Sequence, residues 1–364
     1  MKAQEKIQHL RREIETFDEE ILRLLSERAR VVQEVGKAKE EIKMDSYDPR
    51  REEEILDRLR LRNPGPFPEG AVTPVFREII SACRSLEVEL TAAYLGPPAT
   101  HSHLACIKHF GSSVRADARG SIPEVFEAVE RKEATFGVVP IENSTEGAVD
   151  QTSDLLADSD VKICGEISVR ISHDLLSQTG DDREIHKIYS HPQALGQCRQ
   201  WLRQHFPHVP LVETSSTAKA AEIASEDRNA GAIATPLAGQ MYGLKSNATG
   251  IEDFPRNCTR FLVLNSRIRG RTGRDKTSLL FSIPHTPGSL ARILEILSGR
   301  GINLTKIESR PMKGKPWEYL FFVDCEGHID DPQLDDAMTE LKKNVLSVKL
   351  LGSYPRNFRE EEEI

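Results

Sequence analysis

The apolar positions of the first forty residues fall into a helical stripe. Ile7, Leu10, Ile14, Phe17, Ile21 and Leu24 recur at three- and four-residue steps, followed by Val31, Val35 and Ala38. The spacing predicts one helix over roughly residues 5–42, with no proline and one glycine, Gly36. At about 1.5 Å per residue that helix would be about 55 Å long. A ninety-residue domain leaves such a helix uncovered, so the pattern predicts a second copy along it and hence a dimer. Asp48 before Pro49 predicts the N-cap of a second helix. Asn63-Pro64-Gly65-Pro66 breaks the chain, and Val72, Val75, Phe76, Ile79, Ile80, Cys83 and Leu86 mark a third helix.

After residue 90 the pattern changes to short apolar runs between helical segments. Residues 92–95, 136–141, 161–171, 187–189, 211–213 and 231–234 read as strands. Several end in loops of Gly, Ser, Thr and Asn just before a helix, at 96–102, 142–147, 190–193 and 214–217. Such exits turn backbone N–H groups toward a ligand anion, although helix capping alone explains each of them. Together they are expected to converge on a cleft between two lobes, with the chain crossing near 168 and 245. The stretch from Asn257 to Leu264 closes the region, with small polar groups ahead of a buried strand. Thr259 there is either a strand-end cap or a proton donor beside an anion.

Residues 265–275 form a polar, glycine-containing linker. Strands over 277–283, 302–310, 317–324 and 345–351, with helices over 287–298 and 332–341, give a βαββαβ order and predict a ferredoxin-like fold. The expected organisation is 1–90, 91–268 and 276–356, with an acidic tail at 357–364.

Composition narrows the function classes. A chain of 364 residues is too long for one core. Its net charge of −8, without a basic block, argues against a nucleic-acid partner. Six scattered cysteines predict reduced, buried thiols. There is no run of 18 apolar residues, so a cytoplasmic location without membrane insertion is expected. His101, His103 and His109 lack acidic or cysteine partners at ligand spacing, so neither metal nor cofactor is expected.

The first domain carries charges on its apolar seam. Arg28 lies one heptad after Ile21, and Lys39 eleven residues further on shares its face. Arg11 lies about 100° around the helix and is placed to reach a second copy's pocket. Glu87 follows Cys83 at i+4 and points inward, where burial should favour its protonated form. These groups suit a dianion and offer no nucleophile, which fits a reaction needing only substrate folding and charge stabilisation. They resemble the all-α, three-helix chorismate mutase family of intertwined dimers. The strings that carry the resemblance are L-x-x-x-I-x-x-x-D from Leu10 to Asp18, Glu27-Arg28, V-G-K-A-K at 35–39, D-P-R-R-E at 48–52 and F-R-E-I-I-S at 76–81. The resemblance implies that Arg28, and Arg11 of the second copy, hold two carboxylates. Lys39 would face the breaking ether oxygen and Glu52 the ring hydroxyl, with Asp48, Arg51 and Cys83 also binding substrate. Capping alone also explains Asp48. Cys83 stands where serine is common, and Glu87 where glutamine is common.

The middle region resembles the prephenate dehydratase family, an α/β fold of two lobes like periplasmic binding proteins. The carriers are Y-L-G-P at 94–97, V-V-P-I-E-N-S at 138–144, S-H-P-Q at 190–193, S-T-A at 216–218, Y-G-L at 242–244 and N-x-T-R-F at 257–261. The resemblance assigns Thr259 as proton donor, with Thr100, Asn143, Ser144, Ser190, Gln193, Ser216 and Thr217 in the pocket. Arg260 and Phe261 join as substrate contacts, although strand alternation turns Phe261 to the Thr259 side and Arg260 away. Pro98-Ala99 replaces a common Glu-Gly, and His101 a common Phe or Tyr.

The end domain resembles the ACT regulatory family through P-G-S-L at 287–290, I-N-L at 302–304 and E-S-R-P at 308–311. This implies feedback by phenylalanine at Gly288, Ser289, Leu290, Asn303, Glu308, Ser309 and Arg310; a ligand-free dimerisation domain is the alternative. Three functions stand side by side: a bifunctional enzyme taking chorismate through prephenate to phenylpyruvate, a dehydratase with an inactive helical dimeriser, and a non-catalytic amino-acid sensor. The T-R-F motif and the seam charges favour the first, and a fused mutase favours prephenate over its amino analogue arogenate.

Overall fold

The computed structural model describes residues 3–42, 47–268, 270–312 and 319–356. The acidic tail and Trp317, placed in a strand from sequence, lie outside these residues. The chain divides into two compact units, residues 1–90 with 110–115, and residues 91–109 with 116–364.

The first unit holds α1 (Ala3–Glu41), α2 (Pro49–Leu61) and α3 (Glu69–Arg84). The Asp48 carboxylate accepts the Arg51 N–H and caps α2, with Pro49 at its first position. Leu56, Val72, Ile80 and Cys83 form the buried face of α2 and α3. The stripe of α1 is another matter. Ile14 is 57% exposed and Phe17 67%, and Gly36 is the one buried position of α1. A Cβ at Gly36 would stand 3.0 Å from Cγ of Glu87, so glycine admits that side chain against the helix.

The second unit continues with β1 (Thr91–Leu95), α4 (His101–Phe110), β2 (Arg115–Arg119), α5 (Ile122–Glu130), β3 (Phe136–Asn143), β4 (Gly147–Ala148), α6 (Asp150–Asp158) and β5 (Lys162–Arg170). The chain then builds β6 (Asp174–Ser177), β7 (Lys187–Ser190), α7 (Pro192–Gln197), α8 (Arg199–His205), β8 (Leu211–Glu213), α9 (Thr217–Glu226), β9 (Ala230–Ala234), α10 (Pro236–Tyr242) and β10 (Lys245–Ala248). It returns as β11 (Cys258–Asn265). The last elements are β12 (Asp275–Ser282), α11 (Ser289–Ser298), β13 (Leu304–Pro311), β14 (Tyr319–Glu326), α12 (Pro332–Asn344) and β15 (Ser347–Pro355), the expected βαββαβ order.

These strands form two sheets. One has five strands in the order β10-β6-β9-β7-β8. The other runs β13-β14-β12-β15-β5-β11-β3-β1-β2, with β4 on β3. The end domain therefore continues the sheet that carries β11. The junction is one parallel pair, Gly352 with Ile163. Leu262 and Leu264 of β11 pack in one core with Val125 and Phe126 of α5 and with Leu280, Phe322 and Tyr354 of the end domain. Strand alternation then puts Thr259, Phe261 and Val263 on the opposite face.

None of the six cysteines forms a disulfide, and all are buried. Among the described residues no helix is long and apolar enough to cross a membrane.

Candidate active sites

In the first unit the seam charges meet only in part. Arg28 is half-buried, and its Nη1 is fully buried with no hydrogen-bond partner among the described residues. Leaving a guanidinium nitrogen in that state is unfavourable, and an anionic ligand would satisfy it. Lys39 Nζ lies 3.4 Å from Glu87 Oε2, and the Glu87 side chain is 7% exposed. The apolar surround expected for Glu87 is thus replaced by a cationic partner. Arg11 is exposed in the single chain. Glu52 is held by Arg84, which also donates to the Phe110 carbonyl at 2.6 Å and lies 4.8 Å over the Tyr47 ring. Burial raises the Glu52 pKa, opposed by Arg84. Sequence reading missed Arg84, although its place four residues after Ile80 marks the buried face of α3. Asp48 is engaged in capping. Arg51 is exposed and pairs with Glu54 at 3.1 Å, so nothing among the described residues directs it to a pocket.

In the second unit Thr259 and Asn143 sit directly opposite each other on β11 and β3. Asn143 Nδ2 donates to Thr259 Oγ1 at 2.8 Å. Asn143 Oδ1 accepts the backbone N–H groups of Thr145 at 2.9 Å and Glu146 at 3.1 Å. Thr259 is 8% exposed and Asn143 9%. The register slips between Arg260 and Phe261, leaving Ile141 as a bulge on β3 beside this pair. Ser144 pins the strand mouth: its Oγ donates to Asn257 Oδ1 at 3.2 Å and accepts the Cys258 N–H at 3.0 Å.

The other predicted pocket residues occupy varied stations. Gln193 Nε2 donates to Glu146 Oε2 at 2.5 Å, so α7 of the five-stranded sheet touches the loop beside Thr259. Sequence reading missed Glu146; its place in the loop between Asn143 and Gly147 is the signal it had. Thr100 donates to the Pro97 carbonyl at 3.0 Å and leads α4. Ser216 caps α9 by accepting the Lys219 N–H at 3.0 Å, and Thr217 opens that helix half-buried. Ser190 is fully buried and gives its proton to the Ile233 carbonyl at 2.6 Å, which leaves its oxygen only as an acceptor. Phe261 lies on the Thr259 face but is 2% exposed, part of the packing below the site.

Arg260 requires a correction as a substrate contact. It points to the opposite face, where it donates to Glu166 Oε2 at 2.8 Å and Asp324 Oδ2 at 2.7 Å. Lys276 Nζ reaches Glu166 at 2.8 Å, and Lys306 Nζ reaches Glu142 at 2.8 Å. Burial works against the Arg260 charge, but Tyr354, Asp324 and Glu166 outweigh it and raise the pKa. A polar cavity of about 160 Å³ lies among these groups. Arg260 therefore ties the Thr259 strand to the end domain.

His101, half-buried, and His173, buried, meet edge to face with ring centres 5.3 Å apart. Burial, then the neighbouring His173, lowers the His101 pKa to about 4; burial also lowers that of His173. Among the described residues no group of three or more His, Cys, Asp or Glu is placed to hold a metal ion.

In the end domain a cavity of about 430 Å³ is lined by Ile283, Gly288, Ser289, Leu290, Tyr319 and Phe321, among others. Gly288 has φ +82°, which glycine tolerates, and starts α11. Ser309 is the register partner of Phe321, a wall of the cavity. Asn303, Glu308 and Arg310 do not line it. Strand alternation turns Glu308 and Arg310 to the other face, where Arg310 pairs with Asp150 at 2.7 Å and Glu308 with Lys306 at 3.2 Å.

Known proteins match this organisation. The family Chorismate mutase type II matches residues 10–88, Prephenate dehydratase residues 92–269 and the ACT domain residues 277–343. A bifunctional chorismate mutase/prephenate dehydratase of Aquifex aeolicus is 47% identical over 98% of this chain and 100% of its own. One from Stutzerimonas stutzeri is 43% identical over 98% and 99%. The crystal structure of prephenate dehydratase from Arthrobacter aurescens in complex with L-Phe superposes with TM-score 0.68 at 34% identity, over 74% of this chain and 91% of that one. With three family matches in order and such identity over almost its full length, the chain belongs to the bifunctional chorismate mutase/prephenate dehydratase family.

Proposed function

We propose that this chain converts chorismate to prephenate in its helical unit and prephenate to phenylpyruvate at Thr259, under feedback by L-phenylalanine. Thr259 carries the dehydratase half. Its hydroxyl stands at the mouth of a buried strand, held from one side by Asn143, beside a loop that reaches across to Gln193. As the ring carboxylate of the dianion leaves as carbon dioxide, its bonding pair aromatises the ring and the C–O bond to the hydroxyl breaks. The departing hydroxide takes the Thr259 proton and leaves as water, and solvent restores that proton. The two sheets act as lobes that close on the substrate.

The mutase half is read as a site shared between two copies. Arg28, with its buried Nη1 lacking a partner among the described residues, binds one carboxylate, and Arg11 of a second copy binds the other. Lys39 and Glu87 converge on the ether oxygen, and Glu52, oriented by Arg84, takes the ring hydroxyl. The exposed α1 stripe supports a homodimer. The cavity at Gly288–Leu290 is assigned to phenylalanine, in line with the L-Phe complex of the Arthrobacter relative. We place the enzyme in the cytosol.

The test is Thr259→Ala. Dehydratase turnover is expected to fall at least 10²–10⁴-fold, roughly the contribution of a positioned general acid, while mutase activity stays. Retention of most dehydratase turnover refutes the role.

A further inference from the structure

We infer that Asn143 is a positioning residue that fixes the polarity of the Thr259 hydrogen bond, so that the hydroxyl can only donate into the cleft. The inference rests on the reading of Thr259 as the proton donor. It follows from the direction of three hydrogen bonds.

A primary amide carries two donors on nitrogen and acceptors only on oxygen. The Asn143 side chain faces two backbone N–H groups, those of Thr145 and Glu146, at 2.9 and 3.1 Å. Both can only donate, so the group facing them must be Oδ1. Rotating the amide by half a turn would set three donors against one another. Oδ1 is thereby fixed on the loop side, and Nδ2 is fixed on Thr259 Oγ1 at 2.8 Å.

The consequence falls on Thr259. A hydroxyl has one proton and rotates to suit its neighbours. Opposite Nδ2 the oxygen can only accept, so the proton must point elsewhere. Among the described residues no group accepts it. Both residues are more than nine-tenths buried, which leaves few directions for that proton other than the site itself. The resulting donor is oriented before substrate arrives and needs no reorganisation when the hydroxide departs.

The fold builds this polarity from local sequence. Asn143 is the last residue of β3, opposite Thr259 in register. The chain then turns through Thr145 and Glu146 and comes back as β4. Gly147, at φ +87°, makes that return. The turn therefore aims its N–H groups back at the Asn143 oxygen, as Asx turns do.

Asn143→Asp tests this with almost no change of shape. A carboxylate keeps an oxygen for Thr145 and Glu146, and its second oxygen replaces Nδ2. That oxygen accepts the Thr259 proton and turns it away from the cleft. Above the pKa of the new carboxyl, dehydratase kcat is expected to fall roughly 10²–10³-fold, the cost of removing one oriented donor, with a smaller change in KM. As pH falls and the carboxyl protonates, it can donate again, and kcat is expected to recover. The unaltered enzyme lacks that recovery. Mutase activity should remain, reporting an intact chain.

Two results overturn the inference: an Asn143→Asp enzyme with unaltered kcat and pH profile, or a loss of kcat that does not recover toward low pH. Thr259→Ala separates the two levels. If Thr259→Ala retains turnover, the proton-donor reading itself fails. If Thr259→Ala is inactive and Asn143→Asp behaves like the unaltered enzyme, only the role of Asn143 fails.

Discussion

The two reactions are served by groups in opposite states of completion. Around Thr259 the hydrogen-bonding groups of a single chain find one another: Asn143, Thr145, Glu146 and Ser144 close on the strand mouth within the second unit. In the helical unit Arg28 keeps a buried nitrogen without a partner among the described residues, Arg11 is exposed, and most of the large apolar residues of α1 stand in solvent. The cause lies in the elements. Sheet register fixes cross-strand neighbours to within a few ångströms, so residues far apart in sequence meet in one chain. A lone helix fixes only neighbours three and four residues away, and its long stripe needs another surface.

The sharpest way to break this contrast is complementation. Arg11→Ala and Arg28→Ala should each abolish mutase activity. Mixed and reassociated, the two variants should form the proposed dimer, in which one site combines an intact Arg28 with an intact Arg11. With random pairing in a two-fold dimer, about a quarter of the mutase activity should return. Mixing should return nothing if both arginines serve the same copy. No such rescue is expected for the dehydratase: Thr259→Ala mixed with Asn143→Asp gives at most the average of the two. A rescue there would show that this site, too, is shared.

A smaller effect is expected at the seam between the dehydratase strands and the end domain. A Cβ on Gly352 would stand 2.1 Å from the Ile163 carbonyl oxygen, a backbone atom that cannot swing aside. Gly352→Ala must therefore spread β15 from β5, the strand pair that joins the two parts of the large sheet among the described residues. Overpacking of this kind costs about 1–3 kcal/mol. Thermal unfolding of the second unit should shift down, and phenylalanine should inhibit the dehydratase less. Mutase activity should be unchanged. Unaltered inhibition by phenylalanine would show that the regulatory signal does not cross this pair.

How much of this was legible beforehand depended on the kind of signal. The α1 stripe, the Asp48-Pro49 cap and the βαββαβ order follow from local periodicity and turn chemistry, which the sequence displays directly. The polar strands Arg115–Arg119 and Lys245–Ala248 escaped notice because each lies at a sheet edge, where no apolar alternation is demanded. The side of β11 on which Arg260 sits was readable from alternation. Its partners were not: Glu166, Asp324 and Lys276 arrive from three other strands, and Asp324 lies 64 residues away. Ser190 was readable as a strand-exit serine, but the Ile233 carbonyl that takes its proton lies 43 residues away and was not. The motif E-S-R-P was legible as a motif, but period-two alternation splits it between two faces of β13.

The pH dependence of stability gives the finest separation of the two units. His101 and His173 belong to the second unit and are held neutral by burial, His101 with a pKa of about 4 against a usual 6.5. The unfolded chain therefore binds protons in the window from 6.5 down to 4 that the folded chain refuses. Stability falls as pH falls through that window and is fully present above it. For His101 alone the full effect is on the order of 3 kcal/mol, at 1.36 kcal/mol per pKa unit. The acidic neighbours temper this. Asp174 and Glu252 favour the His173 charge, and burial raises the Asp174 pKa, so the folded chain takes up that proton first and regains some stability at the low end. Both tryptophans, Trp201 and Trp317, lie beyond residue 116 in sequence, so their fluorescence follows the second unit alone. The denaturant midpoint read from them should drop between pH 6.5 and 4.5, while α1 to α3, without this pair, should show no matching drop in helical signal. His101→Phe replaces one desolvated base by an apolar ring and should flatten part of the slope. An unchanged slope in that variant would assign the acid sensitivity to other groups.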